Sequence, residues 1–271
     1  MGYATDEALL TVVTNGGQIA RERQFVERIR ARAPFVTAIA QNVNQRRTNA
    51  ILGHETRALY GGGRMADGLL DCEFEIGPTS FYQTNPAQTE VLYSLAIEGA
   101  RLERGMRVLD LGAAPGSWSL GAAEKVGPQG LVLGCDLQPA RTVFPPQVTF
   151  MQEDVFNRSE DFEARLREMG PFDVVMSDMA PSTTGAVFTD QCRSLELCQE
   201  AFAVARKWLK PGGSFIVKIF MGPDVQELLQ PMRKNFSTVK TFKPKSSRAE
   251  SKETFFVGLN LRPQTGPAGQ E

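Results

Sequence analysis

The sequence RVLDLGAAPGSWSLGAA, at residues 107–123, joins a short apolar run to a turn of small residues. The apolar pair at 108–109 ends in Asp110 and indicates a buried strand, and the residues from Ser117 onward can begin a helix. Between them, GAAPG at 112–116 carries so few side chains that a ligand can approach the backbone closely. The stretch therefore predicts a strand, a ligand-holding turn and a helix, although its spacing is not that of a pyrophosphate site.

From this stretch onward, strands alternate with helices, a pattern typical of a mostly parallel sheet covered on both faces. Strands are predicted at 107–110, 131–136, 148–152, 173–177, 214–220, 238–242 and 254–261. Helices are predicted near 117–126, 159–169, 190–209 and 223–235. A basic loop, not a helix, separates the last two strands, so we expect the final strand to be antiparallel.

The preceding residues predict a small α+β module with strands at 8–14, 35–41 and 48–52 and a helix at 18–33. Residues 69–76 and 80–83 read as extended, and a helix is expected at 86–100. We divide the chain into an N-terminal module at 1–82, an α/β domain at 83–262 and a tail at 263–271.

Composition and charge narrow the class of protein. The chain has 271 residues, of which 42% are hydrophobic and 23% are charged, as in globular proteins that fold in water. It has no apolar run of membrane-spanning length, its first residues lack a signal peptide, and its four cysteines form no C-x-x-C pair. With His54 as the single histidine, we expect no metal site and a cytoplasmic location.

Basic residues are clustered, although the net charge is −1. The early cluster is formed by arginines at 21, 23, 28, 30 and 32. The late cluster includes Lys243, Lys245, Arg248 and Lys252, which we interpret as contacts to RNA phosphates because the loop leads into Glu253. Each cluster could equally be a solvated surface.

Acidic residues stand at or near the carboxyl ends of four successive predicted strands, where α/β sheets bind ligands. They are Asp110, Asp136, Asp154 and Asp178. A carboxylate after the second strand suits a ribose diol, and one after the third suits an adenine amino group. Since the chain has no phosphate-binding loop with a lysine, S-adenosylmethionine is the cofactor that fits best.

Lys218 lies inside the apolar run at 215–220, where burying a charged lysine is costly unless it is paired with a carboxylate or has a functional role. Neighbouring parallel strands would place it beside Asp178, and Glu253 opens the last strand. These residues predict attack of a hydroxyl on a methyl sulfonium: Lys218 takes the hydroxyl proton or orients the hydroxyl, Asp178 fixes the lysine, and Glu253 holds the substrate. The alternative is a buried structural ion pair.

Several separate stretches, in order, closely resemble the FtsJ family of 2′-O-ribose RNA methyltransferases over about 105–262. They are DLGAAPGSWS at 110–119, CDLQP at 135–139, ED at 153–154, SDMAPSTTG at 177–185, LKPGGSFIVKIF at 209–220 and KPKSSRAESKETF at 243–255. The resemblance implies a Rossmann-like class I fold that uses S-adenosylmethionine, and an rRNA or ribosomal-particle substrate. It maps Asp178, Lys218 and Glu253 onto three members of the family's Lys-Asp-Lys-Glu tetrad; the first lysine, expected near 90–95, is absent from EVLYSL.

The same resemblance implies a set of cofactor-binding positions around the small-residue turn and the following strand ends. They are Gly112, Pro115, Trp118, Asp136 and Asp154. To these we add as expected cofactor-binding positions Asp110, Ala113, Gly116, Leu137, Val155 and Asp178. Farther forward, QNVNQRRTNAILG at 41–53 and GPTSFYQTNPAQTEVLY at 77–93 resemble RNA 5-methyluridine methyltransferases, which adds Gln83 to the cofactor pocket.

Three functions follow from the sequence. The first is ribose 2′-O-methylation of RNA. The second, suggested by the front of the chain, is methylation of uridine C5, which needs a cysteine nucleophile such as Cys192 or Cys198. The third is an RNA-binding or ribosome assembly factor that keeps the cofactor pocket with weak or no catalysis, which the absent lysine supports.

Overall fold

A computed structural model of the chain describes residues 2–46, 51–69, 72–80, 98–140, 142–182, 184–242 and 253–263. The chain forms two compact units, divided between residues 90 and 91. The boundary expected between 82 and 83 lies outside the described residues and stays a prediction. In the described ranges, no helix has the length and apolar character needed to cross a membrane.

The N-terminal unit contains a three-stranded sheet in the order β1-β2-β3. Its elements are β1 (Leu9–Thr14), α1 (Glu22–Arg32), β2 (Ala38–Val43) and β3 (Glu55–Tyr60). Strands β1 and β2 are parallel and are joined through α1, whereas β3 is antiparallel to β2.

The strand expected at 48–52 is wrong in its described part, because residues 51–53 are outside any strand and β3 begins at Glu55. The buried side chain of Asn42 explains the difference. Its Oδ1 accepts from the Gly53 N–H at 2.7 Å, and its Nδ2 donates to the Gly53 carbonyl at 3.0 Å. These bonds occupy the backbone groups that a sheet would otherwise pair.

A separate hairpin follows, formed by β4 (Met65–Leu69) and β5 (Cys72–Ile76). The single extended segment expected at 69–76 is therefore divided, since Leu69 pairs with Cys72 across the hairpin. The buried Asp67 of β4 accepts hydrogen bonds from the backbone N–H groups of Tyr3 and Ala4, which attaches the start of the chain to the hairpin.

The C-terminal unit is built on a seven-stranded sheet in the order β11-β12-β10-β9-β6-β7-β8. The strands are β6 (Arg107–Leu111), β7 (Leu131–Asp136), β8 (Val148–Gln152), β9 (Phe172–Ser177), β10 (Leu209–Phe220), β11 (Phe236–Phe242) and β12 (Glu253–Leu261). Strands β6 to β10 are parallel, and β12 is antiparallel to both of its neighbours. The mostly parallel sheet and its antiparallel last strand are as expected.

Helices pack on both faces of this sheet. They are α2 (Ser117–Val126), α3 (Glu160–Met169), α4 (Val187–Trp208) and α5 (Gln226–Asn235). One apolar cluster joins alternate strand residues to α3, α4 and α5, and the other joins the intervening residues to α2. Strand β10 begins at Leu209, five residues earlier than expected, with a register shift between Leu209 and Ser214.

Candidate active site

Four charged side chains point to the same face of the sheet at its carboxyl edge. On β6, β9 and β10, the residues Val108, Val174 and Ile216 belong to the apolar cluster beneath α2. Since successive strand residues alternate between faces, residues an even number of positions later lie on this face too. Asp110 and Lys218 follow Val108 and Ile216 by two positions, and Asp178, directly after β9, follows Val174 by four. Asp136 at the end of β7 follows Val132 of the same cluster by four.

Lys218 and Asp178 form an ion pair at this edge, with Lys218 Nζ 2.7 Å from Asp178 Oδ1. The register of β9 and β10, in which Val217 lies opposite Ser177, brings the two side chains together. Lys218 is buried, with 8% of its surface exposed. Burial alone would lower the pKa of Lys218, but the charges of Asp178 and Glu253 outweigh it and raise the pKa, so the ammonium form is favoured.

Glu253 shares this face, because it lies opposite Phe220 on β12, and Phe220 is two residues after Lys218. Burial raises the pKa of the Glu253 carboxyl; the positive charge of Lys218 opposes this rise and the negative charge of Asp178 adds to it. The three residues that the sequence assigned to the reaction therefore meet at one edge.

The small-residue turn is bound to the end of β7. The Gly112 and Ala113 N–H groups donate to the Cys135 carbonyl at 2.9 and 3.0 Å, and the Ala114 N–H donates to Asp136 Oδ2 at 3.0 Å. Gly112 has φ 78°, and a Cβ there would lie 2.9 Å from the Met179 backbone nitrogen. This position therefore requires glycine.

Asp110 is fully buried at the end of β6. Its Oδ2 accepts from the Ser119 hydroxyl at 2.7 Å, while Oδ1 has no hydrogen-bond partner among the described residues. Burial raises the pKa of Asp110 to about 7, against the Ser119 hydrogen bond, and the charges of Asp178 and Asp136 add to the rise. A buried carboxylate oxygen without a partner fits a cationic ligand at this edge.

Ser119 was missed by sequence reasoning. Its signal is a polar residue on the face of α2 that also contains the buried Trp118, Ala122 and Ala123. A hydroxyl there requires a buried partner, which Asp110 provides.

Three residues that the sequence assigned to the adenosine part of the cofactor differ in exposure and in hydrogen bonding. Asp154 accepts from Asn157 Nδ2 and from the Phe156 N–H, both at 2.9 Å, and these bonds lower its pKa. Leu137 is 63% exposed and Val155 is buried. These three positions lie after β7 and β8, and their contacts to a cofactor stay predictions.

Trp118 lies in the core and not at the turn surface. It is buried and stacks on Phe255, with ring centroids 5.5 Å apart. Phe255 lies on β12 opposite Lys218, so Trp118 packs on the strand next to the one that carries the lysine.

Other assigned positions fall outside the described residues. They are Gln83, Lys243, Lys245, Arg248, Lys252 and the segment at 90–95 where the family's first lysine was expected. Their roles stay predictions.

Of the two cysteines proposed for uridine chemistry, Cys198 is poorly suited to it. The Cys198 thiol is buried and donates to the Lys218 carbonyl at 3.0 Å, and burial raises its pKa to about 12. Such a thiol stays protonated at neutral pH and is not a nucleophile. Cys192 is partly buried on the same helix.

Comparison with known proteins identifies relatives of the C-terminal unit. A family model described as FtsJ-like methyltransferase matches residues 94–261. The ribosomal RNA large subunit methyltransferase E of Nitratidesulfovibrio vulgaris strain DP4 is 74% identical over 159 residues, which are 59% of this chain and 78% of the relative. The enzyme of that name from Lawsonia intracellularis is 58% identical over 160 residues, 59% of this chain and 80% of its own.

A solved structure supports the fold. A Plasmodium falciparum protein described as a candidate ribosomal RNA methyltransferase has a TM-score of 0.56 and 23% identity, over 67% of this chain and 98% of that chain. At this identity the likeness concerns the fold alone. The family match begins at residue 94, so the likeness of the N-terminal unit to 5-methyluridine methyltransferases stays a prediction.

Proposed function

Since the chain belongs to the FtsJ-like methyltransferase family, we propose that it transfers a methyl group from S-adenosylmethionine to the 2′-hydroxyl of a ribose in ribosomal RNA. The single observation that carries the chemistry is the buried Lys218–Asp178 ion pair at the carboxyl edge of the sheet. Ribose methylation requires a group that positions and activates a hydroxyl, and this pair lies where α/β folds bind substrates.

The residues at this edge suit the cofactor. The turn at 112–116 and the Asp136 carboxylate would hold its methionine and ribose parts, and Asp110 provides a buried oxygen without a partner among the described residues, which suits a positive charge. When bound, the sulfonium supplies an electrophilic methyl group. Leu137 and Val155 would flank the adenine, and Asp154 would accept from its amino group.

Lys218 has the ammonium form in the free protein, because its two carboxylate neighbours stabilise the positive charge. We infer that it donates a hydrogen bond to the 2′-oxygen and thereby orients a lone pair toward the methyl group. Asp178 fixes the lysine. Glu253 is a carboxylate of raised pKa on the same face and would accept the hydroxyl proton, since a more basic carboxylate is a better proton acceptor.

Labelled cofactor with large-subunit ribosomal RNA, followed by nucleoside analysis, tests the proposal. We expect label in 2′-O-methylribose with the wild-type chain, and a loss of at least about 10²-fold in rate with Lys218→Met, as for removal of a group that manages a proton or orients the nucleophile. Cofactor affinity should remain. Label on a base, or a Lys218→Met chain of full activity, would contradict the proposal.

We propose that the chain acts in the cytoplasm on ribosomal RNA, either free or in a ribosomal particle. The test of the substrate form is direct: naked RNA and large subunits isolated from cells lacking the enzyme are compared in the same assay. Equal rates would indicate that the RNA fold alone is recognised, and a preference for the subunit would indicate that ribosomal proteins contribute.

A further inference from the structure

Helix α1 lies in the N-terminal unit, outside the family match, and is unusually rich in arginine. Between residues 18 and 46 the chain has six arginines and two glutamates, and residues 1–124 contain no lysine. No residue of α1 is fully buried. Its apolar stripe, Phe25, Val26 and Ile29, is only half-buried. The helix therefore has one apolar face and two basic edges.

One edge has its charges occupied. Arg23 pairs with Glu27 at 3.3 Å, and the Arg30 guanidinium lies 4.1 Å from the centre of the Tyr60 ring. The other glutamate of the helix, Glu22, is also engaged, because it forms an ion pair with Arg57 of β3.

The opposite edge carries Arg28 and Arg32, one helical turn apart. At 100° per residue they lie about 140–180° around the helix from Arg23 and Arg30. Both are exposed, and among the described residues neither has a carboxylate within ion-pair distance. Two like charges at this spacing repel each other by about 0.2–0.5 kcal/mol. Arg32 lies in the last turn of α1, where the helix dipole stabilises a positive charge, but Arg28 lies before that turn and has neither this gain nor a carboxylate partner among the described residues.

We propose that the Arg28–Arg32 edge of α1 is a second RNA-binding surface, which contacts phosphates outside the methylation site. The inference rests on the proposed function, because it takes RNA as the substrate. Guanidinium groups bind phosphate oxygens with two parallel hydrogen bonds, and lysine, which does not, is absent from this unit. The surface recognises charge and not sequence, so it adds affinity and leaves the choice of nucleotide to the catalytic unit.

Fluorescence anisotropy with the full chain and a labelled 24-nucleotide single-stranded RNA tests this surface. The variant is Arg28→Gln/Arg32→Gln, and the matched control is Arg23→Gln/Arg30→Gln on the occupied edge. We expect several-fold weaker binding for the variant, and a dependence of log K on log salt that is shallower by about 1.4, since each phosphate contact contributes about 0.7. The control should keep the wild-type slope.

Equal slopes for the variant and the wild type, or equal losses in variant and control, would overturn the proposal. So would a loss of binding to phosphatidylserine vesicles with RNA binding intact, because the edge would then be a membrane contact. The nucleoside assay separates this inference from the proposed function. If the variant binds RNA more weakly but the wild type methylates no ribose, the RNA-binding surface is supported and the proposed function is contradicted. If the wild type methylates ribose but the variant binds RNA as the wild type does, the proposed function is supported and the surface is contradicted.

Discussion

Lys218 contacts Asp178 at the carboxyl ends of β10 and β9, and at the opposite ends of the same two strands Lys210 pairs with Asp173. The two pairs differ in exposure. The Lys218 side chain is 10% exposed and that of Lys210 is 47% exposed. The same kind of ion pair is thus present in two environments, which makes one the natural control for the other.

Asp178→Asn should lower the free energy of unfolding by about 3 kcal/mol at pH 7, because it leaves a buried ammonium without its carboxylate. Asp178→Asn/Lys218→Met should recover part of this loss, since the unpaired charge is gone. Chemical denaturation followed by tryptophan fluorescence measures both, because Trp118 and Trp208 lie in the C-terminal unit.

Lys210→Met is the matched control for this cycle. It removes an exposed ammonium, and Asp173 keeps the Arg107 N–H as a donor at 2.8 Å, so the expected loss is less than about 1 kcal/mol. If Lys210→Met and Asp178→Asn lower the free energy of unfolding equally, burial does not determine the strength of the Lys218–Asp178 pair and our interpretation is wrong.

The stability of the C-terminal unit should depend on the titration of Asp110. Its folded pKa is raised to about 7, so the native state holds this proton more tightly than the unfolded chain does. The stability that it contributes is present at low pH and is lost as the pH rises from about 4, the pKa of a free Asp, to about 7.

Asp110→Asn removes this titration and keeps an acceptor for the Ser119 hydroxyl. Relative to the wild type, the variant should therefore gain at least about 1 kcal/mol of stability between pH 5 and pH 8, given about 1.4 kcal/mol per pKa unit. Urea denaturation at the two pH values measures it. An unchanged difference would mean that Asp110 is ionised across this range.

Sequence reasoning was most successful where one element determines the next. Alternating strands and helices predicted the sheet, and the adjacency of two parallel strands predicted the contact of Lys218 with Asp178. The predicted strand at 48–52 failed because a side chain replaces a backbone partner. Residues 51 and 52 are apolar, as in a strand, but the Asn42 side chain bonds the Gly53 backbone and keeps 51–53 out of the sheet. Periodicity places Ser119 on the buried face of α2, but it does not identify Asp110 as the partner of the Ser119 hydroxyl.

Gly112→Ala should weaken cofactor binding as well as stability. The residue has φ 78°, where an L side chain costs about 1–2 kcal/mol, and the new Cβ would also lie 2.9 Å from the Met179 nitrogen, so the turn must shift. Gly127 is the matched control: its φ is 69°, but a Cβ there meets nothing within 4 Å.

Gly127→Ala should therefore cost only the backbone strain and leave the affinity for S-adenosylhomocysteine, measured by calorimetry, unchanged. Gly112→Ala should lose at least about tenfold, or 1.4 kcal/mol, in the same titration. Equal affinities for the two variants would place the ligand away from the turn.

Asn42→Ala should loosen the N-terminal unit locally. The Asn42 amide is buried, bonds the Gly53 N–H and carbonyl, and donates to the Thr56 hydroxyl at 2.8 Å. Removing it leaves two buried backbone groups of Gly53 unpaired, at a cost of about 1–3 kcal/mol each. Hydrogen exchange at 51–60 should accelerate at least about tenfold while exchange in β6 stays unchanged.

Thr56→Val, which removes one of the three bonds and keeps both Gly53 contacts, should accelerate this exchange less. Equal acceleration in the two variants would mean that Asn42 acts through β3 and not through Gly53.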